Sequence, residues 1–150
     1  MTQVFEISEQ TFDPQIVKDA IELISKPDSW IQGSSFGIYS KDKDGNIKIE
    51  FPFEILDKPD AIPNCWCLYG AMAYAKFKTA KINYESFEGK HFEGYYRFFD
   101  YHYRKVAGKG LINYNDYPGT TKEMVIETTK KVLESIPEGT KYRNYTLGEI

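Results

Sequence analysis

The segment 120–136 constrains the fold most, because it carries both the start signal of a helix and a helical hydrophobic pattern. Thr120 is followed three residues later by Glu123, which is the spacing of a capping box. The positions that share one helical face after this start are Val125, Thr129, Val132, Leu133 and Ile136. Pro137 and Gly139 then end the pattern. The sequence therefore predicts a helix here, with one face packed against a core.

A second helix is predicted near the start of the chain. Asp13 is a suitable N-cap, and Pro14 suits the first helical position because proline lacks the N–H group that a helix leaves unpaired there. Apolar residues follow at helical spacing: Ile16, Val17, Ala20, Ile21 and Ile24. Pro27 stops the helix, because it cannot continue the hydrogen-bond ladder.

Period-two alternation over residues 36–53 predicts a β-hairpin. The alternating positions are Phe36, Ile38, Ile47, Ile49, Phe51 and Phe53. Asp44-Gly45 lies between the two runs and supplies a turn. Residues 54–63 contain two prolines and are interpreted as a loop.

Residues 84–104 are rich in rings, and we interpret them as a helix rather than a strand. Gly108 and Gly110 interrupt the pattern. With the other elements this gives three to four helices packed with a β-hairpin or small antiparallel sheet, which is an α+β fold. The length of 150 residues suits one domain, which we place at 1–150.

Composition excludes several classes of protein. The net charge of −3 does not provide the basic footprint expected for a duplex nucleic-acid binder. We find neither an apolar run long enough to span a bilayer nor a secretory signal. The two cysteines, Cys65 and Cys67, are too close in sequence for a disulfide between them. We therefore expect a cytoplasmic protein with no membrane partner.

Asn64 is a candidate N-cap for a helix running to about Lys78, which would place Cys67 in its first turn. Free backbone N–H groups and the helix dipole would lower the pKa of a thiol there. Gly70 and Ala71 would let another element approach this helix closely. The alternative, which we favour, is an inert cysteine buried against a neighbouring element.

A thiol nucleophile would need a base and an orienting group. His91 or His102 is the candidate base, and Asp116 or Asn115 would orient the imidazole. This set would suit a hydrolase or acyltransferase. The spacing of the histidines and cysteines does not match a zinc site, so we expect no metal and no cofactor.

The residues around Asn115-Asp116 predict a turn that presents the last helix. The alternative is an anion site at that helix start, with Thr120 and Thr121 as donors. The spacing of a Walker loop is absent. Trp30 is interpreted as a core anchor, with ligand stacking as the alternative.

An aromatic-basic segment lies between Phe87 and Lys109. Its five basic residues outnumber three acidic residues, giving a local charge of +2 in a chain of −3. Rings beside arginine can stack bases or form protein-binding hot spots. The candidate binding residues are Tyr95, Tyr96, Arg97, Tyr101 and Arg104. The alternative is that one side of the segment is simply core.

Several of these motifs together resemble a family of small bacterial and phage proteins that is known only as a domain of unknown function. The pattern is W-x-x-G from Trp30, C-x-x-G-A from Cys67, N-D-x-P from Asn115 and T-x-E from Thr121, and the resemblance covers about residues 28–136. It implies a shared fold and a cytoplasmic setting, but it supplies no activity for any residue. The aromatic segment 84–110 departs from the pattern.

The leading hypothesis from the sequence is a non-enzymatic binding protein in a bacterial or phage-infected cell. It would engage a host or cognate protein, or sequester a nucleotide-like ligand, for example as a defence inhibitor. The first alternative is a small cysteine-dependent enzyme that uses Cys67. The second is a single-stranded nucleic-acid binder that uses the 91–105 segment. Homo-oligomerisation is compatible with each hypothesis.

Overall fold

The computed structural model describes residues 2–50, 62–78 and 87–149, with side chains over 9–50, 62–78 and 92–143. Five helices and five strands lie in these residues. In chain order the elements are β1 (Thr2–Thr11), α1 (Gln15–Ser25), β2 (Phe36–Lys41), β3 (Ile47–Glu50), β4 (Cys65–Trp66), α2 (Leu68–Phe77), α3 (Phe87–Ala107), α4 (Leu111–Asp116), α5 (Lys122–Ser135) and β5 (Lys141–Glu149). The α+β class is confirmed.

The predicted hairpin is confirmed for β2 and β3, which pair antiparallel from Ile38↔Glu50 to Lys41↔Ile47. Asp42 closes its loop, since its Oδ1 accepts hydrogen bonds from the backbone N–H groups of Asp44 and Asn46. β4 adds to the other edge of β2, which gives the sheet order β3-β2-β4. Residues 51–53 of the predicted hairpin lie outside the described residues.

A second sheet joins the two ends of the chain. β1 and β5 pair antiparallel from Thr2↔Glu149 to Thr11↔Lys141, with one register irregularity between Val4 and Glu6. Neither strand was predicted from the sequence. A turn signal identifies paired strands only when they are close in sequence, and these two strands lie more than a hundred residues apart.

The core lies between the helices. The helix predicted for the aromatic segment is confirmed over α3, and residues 84–86 lie outside the described part of the chain. Phe92, Phe99 and Tyr103 fall on one side of α3 and are buried, because their spacing of four and seven residues returns them to the same face. They meet apolar side chains from α1, α2 and α5: Val17, Ile24, Leu68, Met72, Val125 and Val132.

The predicted start of α2 is wrong. Asn64 does not cap a helix; its side chain makes a two-way clasp with the backbone of Tyr39, accepting from N at 2.7 Å and donating to O at 2.9 Å. Residues 65 and 66 are consequently extended as β4. The N-cap is Cys67, whose sulfur accepts a hydrogen bond from the N–H of Gly70.

The predicted turn at Asn115-Asp116 and the predicted N-cap of α5 are both wrong. Asn115 and Asp116 are the last residues of α4, a six-residue helix, and the turn follows them rather than containing them. The N-cap of α5 is Thr121, one residue later than predicted, and its Oγ1 accepts from the N–H of Met124 at 3.2 Å. Thr120 is buried instead. In the described part of the chain, no helix has the length and apolar character that a bilayer crossing requires.

Candidate functional site

Asn115 is a buried junction between three parts of the chain, with no solvent exposure. Its Oδ1 accepts from the indole Nε1 of Trp30 at 2.8 Å and from the backbone N–H of Leu68 at 3.0 Å. Its Nδ2 donates to the carbonyl of Ile31 at 3.1 Å and to Oδ1 of Asp116 at 2.9 Å. All four hydrogen-bonding positions of the amide are therefore used by the protein.

Neighbouring groups clamp the loop after α1 onto the end of α4. Oδ1 of Asp116 also accepts from the N–H of Gly33 at 2.9 Å. Nε2 of Gln32 donates to the carbonyls of Asn115 at 2.9 Å and Tyr117 at 3.2 Å. Trp30 is thus an anchor, bonded through its indole. The role of Gln32 could not be predicted from the sequence, since nothing in its local pattern indicates contacts more than eighty residues away.

Cys67 lies beside this junction in a tight backbone approach. Its N–H donates to the carbonyl of Ser35 at 3.2 Å, and a methyl group added at Gly70 would overlap that same carbonyl. Burial, reinforced by the negative charge of Asp116, raises the pKa of Cys67 to about 11. The lowered thiol pKa that the nucleophile alternative requires is not found, because desolvation outweighs the hydrogen bond from Gly70, and Cys67 is buried as the favoured interpretation predicts.

The structure brings Asp116 near Cys67 but places His102 in other surroundings. The His102 ring packs on Phe98 at 4.8 Å and on Tyr101 at 5.4 Å between centroids. Its pKa is lowered by burial and by the charge of Lys105. The side chain of His91 lies outside the described residues. In the part of the chain with described side chains, no group of three histidine, cysteine or acidic residues is placed to hold a metal ion.

The aromatic segment has a core side that includes two of the candidate binding residues. Tyr95 is buried, its ring stacks on Phe12 at 5.1 Å, and its hydroxyl donates to the carbonyl of Asp13. Tyr96 is half-buried with its edge against Tyr69 at 4.9 Å. Burial raises the pKa of Tyr96 to about 12. Both rings serve packing between elements.

The opposite side of α3 faces solvent. Arg97, Tyr101, Arg104 and Lys105 share it, since they are spaced by four, seven and eight residues. The Tyr101 side chain is 58% exposed, and the ammonium group of Lys105 lies 4.2 Å from its ring centroid. Arg97 pairs with Glu93 through its Nε at 3.0 Å.

Asp100 links this face to α4. Its Oδ2 accepts from Nε of Arg104 at 3.0 Å, and its Oδ1 accepts from the N–H of Leu111 at 2.8 Å. Asp100 is 8% exposed, whereas the Arg104 side chain is 66% exposed. Gly110 lies directly under the guanidinium group. Asp100 was not predicted as a site residue, although its spacing of four from Arg104 indicates an ion pair on a helix.

A second pairing of tyrosine with lysine follows on the α4 side. The ammonium group of Lys109 lies 3.4 Å from the ring centroid of Tyr117, which is 54% exposed. Ile112 of α4 is also exposed. We call the half-buried Lys109 and its exposed neighbours the basic-aromatic surface, which consists of Tyr101, Arg104, Lys105, Lys109, Ile112 and Tyr117.

The candidate anion site before α5 is occupied by the protein's own groups. Thr121 uses its hydroxyl oxygen as the helix cap. The N–H of Thr120 donates to the carbonyl of Tyr117 at 3.0 Å, and the residue is buried. These contacts favour a structural turn over residues 117–121, between α4 and α5.

A model of the family of unknown function DUF6197 matches residues 9–134 of the chain. This confirms the resemblance to a family of unknown function, while the bacterial and phage origin and the motif pattern stay predictions. Neither the curated proteins nor the solved structures contained a match.

Proposed function

The chain belongs to the DUF6197 family, and from its surface we propose that it is a non-enzymatic binding protein that engages a partner protein. The partner docks on the basic-aromatic surface. The setting is the cytoplasm of a bacterial or phage-infected cell, where the free cysteines Cys65 and Cys67 stay reduced. The partner is a host or cognate protein.

The observation that carries this proposal is the two-sided character of α3. Its inner side is filled by Phe92, Phe99 and Tyr103, so the core does not require the rings on the outer side. Tyr101 nevertheless stands in solvent, 58% exposed. Tyrosine and arginine are the residue types that dominate protein-binding hot spots. Their grouping on one face supports an interface with another protein.

The contacts of Cys67 weigh against the thiol-enzyme alternative. A nucleophile needs a thiolate and access to substrate. Cys67 is 5% exposed, and its pKa is raised to about 11, so the thiol is neutral near pH 7. Its sulfur already serves the start of α2.

A single-stranded nucleic acid is the second candidate, supported by the local positive charge. Stacking requires an open ring face. Lys105 covers one face of Tyr101 and Lys109 covers one face of Tyr117. The ammonium groups thus reduce the ring surface that bases could stack on, and they offer positive charge to carboxylates. Proteins supply carboxylates together with apolar side chains, and we therefore favour a protein partner.

The test compares two matched charge reversals at exposed lysines. Lys105→Glu lies on the basic-aromatic surface, and Lys130→Glu lies on α5, away from it. Immobilised wild-type protein and both variants are exposed to nuclease-treated bacterial lysate, and the retained proteins are quantified. We expect wild type and Lys130→Glu to retain the same partner protein in similar amounts. Lys105→Glu should retain about tenfold less of it. All three proteins should unfold at similar temperatures.

Equal retention by Lys105→Glu and Lys130→Glu would contradict the proposed surface. Tight, salt-sensitive binding of oligothymidylate that is lost only in Lys105→Glu would favour the nucleic-acid alternative instead.

A further inference from the structure

We propose that the basic-aromatic surface binds a carboxylate-rich segment of a partner protein, with Arg104 as the receptor for one carboxylate and Asp100 as the residue that positions it. This inference rests on the proposed function and specifies its partner. Lys105 and Lys109 attract the neighbouring acidic side chains. Tyr101 and Ile112 contact the partner's apolar side chains, which lie between its acidic ones.

Among the described residues, the guanidinium group of Arg104 is held by one edge. Its Nε donates to Oδ2 of Asp100, and within the described part of the chain its two terminal amino groups have no hydrogen-bond acceptor. Those two groups form the end of the guanidinium fork that matches the two oxygens of a carboxylate. Arg104 therefore retains the capacity for a bidentate pair with a ligand.

Asp100 is a rigid support for this fork. It is 8% exposed, and its other oxygen is bound to the N–H of Leu111 at the start of α4. Gly110 provides the flat backbone over which the guanidinium lies. Holding a long side chain in one orientation before binding reduces the entropy lost on binding. Asp100 thus acts on a ligand through Arg104 without contacting it.

Charge determines the chemistry of the occupant. The outer side of α3 and the linker to α4 carry Arg97, Arg104, Lys105 and Lys109, whereas Glu93, Asp100 and Asp116 are their acidic neighbours. Four positive and three negative groups give a local charge of +1, against −3 for the whole chain. A segment of acidic side chains complements this excess and is repelled by the rest of the molecule, which localises it here.

The apolar residues of the basic-aromatic surface favour a protein over a purely ionic ligand. Ile112 is 38% exposed and Tyr101 58% exposed, beside the basic groups. A segment that alternates acidic and apolar residues would contact both kinds of group. We therefore commit to a protein segment of this composition.

The probe is a short fluorescent peptide of alternating glutamate and leucine, measured by anisotropy against the full chain. The matched peptide has glutamine in place of glutamate. We expect saturable binding of the glutamate peptide and about tenfold weaker binding of the glutamine peptide. Arg104→Lys keeps the charge but loses the fork, and should raise Kd several-fold, whereas the same change at the exposed Arg143 of β5 should leave Kd unchanged.

Asp100→Asn tests the positioning role. Asparagine can still accept from Leu111 N–H but cannot form the ion pair with Arg104. We expect Asp100→Asn to raise Kd in the wild-type background and to have little effect in Arg104→Lys, because the residue acts through the arginine. A merely structural role would raise Kd equally in both backgrounds.

The inference is overturned by a lack of saturable binding of the glutamate peptide, by equal binding of the glutamine peptide, or by full displacement with oligothymidylate. An unchanged Kd in Arg104→Lys would also overturn it. These failures are separable from failure of the proposed function. If lysate capture still depends on Lys105, the proposed interface stands while its acidic occupant is wrong.

Discussion

The indole nitrogen of Trp30 lies 2.8 Å from Oδ1 of Asn115, which is 85 positions further along the chain. The same oxygen accepts from the backbone of Leu68, so one amide joins the loop after α1, the start of α2 and the end of α4. Cys67 lies directly before Leu68. The motif residues therefore converge on one place, and their contacts there are those of a folding junction.

Replacing Asn115 with aspartate tests this junction. Aspartate has the same shape but cannot donate to Ile31, and its charge would lie against the carboxylate of Asp116. We expect the free energy of unfolding to fall by roughly 3–5 kcal/mol, measured by urea denaturation. Asn113→Asp on the exposed side of α4 is the control and should change it by less than about 0.5 kcal/mol. A similar small loss in both variants would mean that the junction contributes little.

Gly70 tests the close approach of α2 to the strand region. A methyl group there overlaps the carbonyl of Ser35, so the backbone must move. We expect Gly70→Ala to destabilise the protein by about 3 kcal/mol or more. Gly119→Ala has a different cause of strain, a φ of +90° where an added methyl group meets no described atom within 4 Å, and should cost about 1 kcal/mol. Thermal unfolding of the two variants should show this order, and the reverse order would contradict the packing described.

The buried thiol predicts a loss of stability at alkaline pH. The pKa of Cys67 rises from its ordinary value of 9.0 to about 11 in the folded protein. Below pH 9 both folded and unfolded chains hold the proton, so its contribution to stability is fully present. As the pH rises toward 11 the unfolded chain ionises first, and the folded state loses roughly 2 kcal/mol.

Cys67→Ser isolates this effect because it keeps a side chain that can accept from Gly70 and removes the titration. Urea unfolding at about pH 8 and about pH 10.5 should give a larger alkaline loss for wild type than for the variant, since the buried tyrosines titrate in both proteins. Equal losses would mean that Cys67 is more accessible than the structure indicates.

The cap of α5 distinguishes Thr121 from Thr120. Thr121→Ala removes the acceptor for the N–H of Met124 and should reduce the free energy of unfolding by about 1 kcal/mol. Thr121→Ser retains the hydroxyl and should leave it almost unchanged. Circular dichroism during thermal unfolding measures both. If alanine and serine behave alike, the cap does not stabilise the helix.

The local spacing of apolar residues predicted those helices and strands that bury one apolar face. The helical spacing of Val17, Ala20 and Ile24 predicted α1, and the run of rings predicted α3. Hairpin alternation predicted β2 and β3. Each of these signals repeats within a few residues, so a short window of sequence contains it.

Helix starts were harder to predict, because several adjacent residues can act as caps. Asn64 and Cys67 both precede α2, and Thr120 and Thr121 both precede α5. Tyr39 engages the side chain of Asn64 from another strand, which leaves Cys67 as the cap. The choice depends on a residue 25 positions away and is invisible to local pattern.

The sequence by itself determined the α+β class, the helical period of the aromatic segment and its positive local charge. Only the tertiary structure decided which rings of α3 are core and which stand in solvent, that Asp100 holds Arg104, and that β1 pairs with β5. Periodicity assigns a face to each side chain, but it does not say what packs against that face. Burial, the thiol pKa and the Asn115 contacts depend on groups brought together from distant positions, and that proximity arises only on folding.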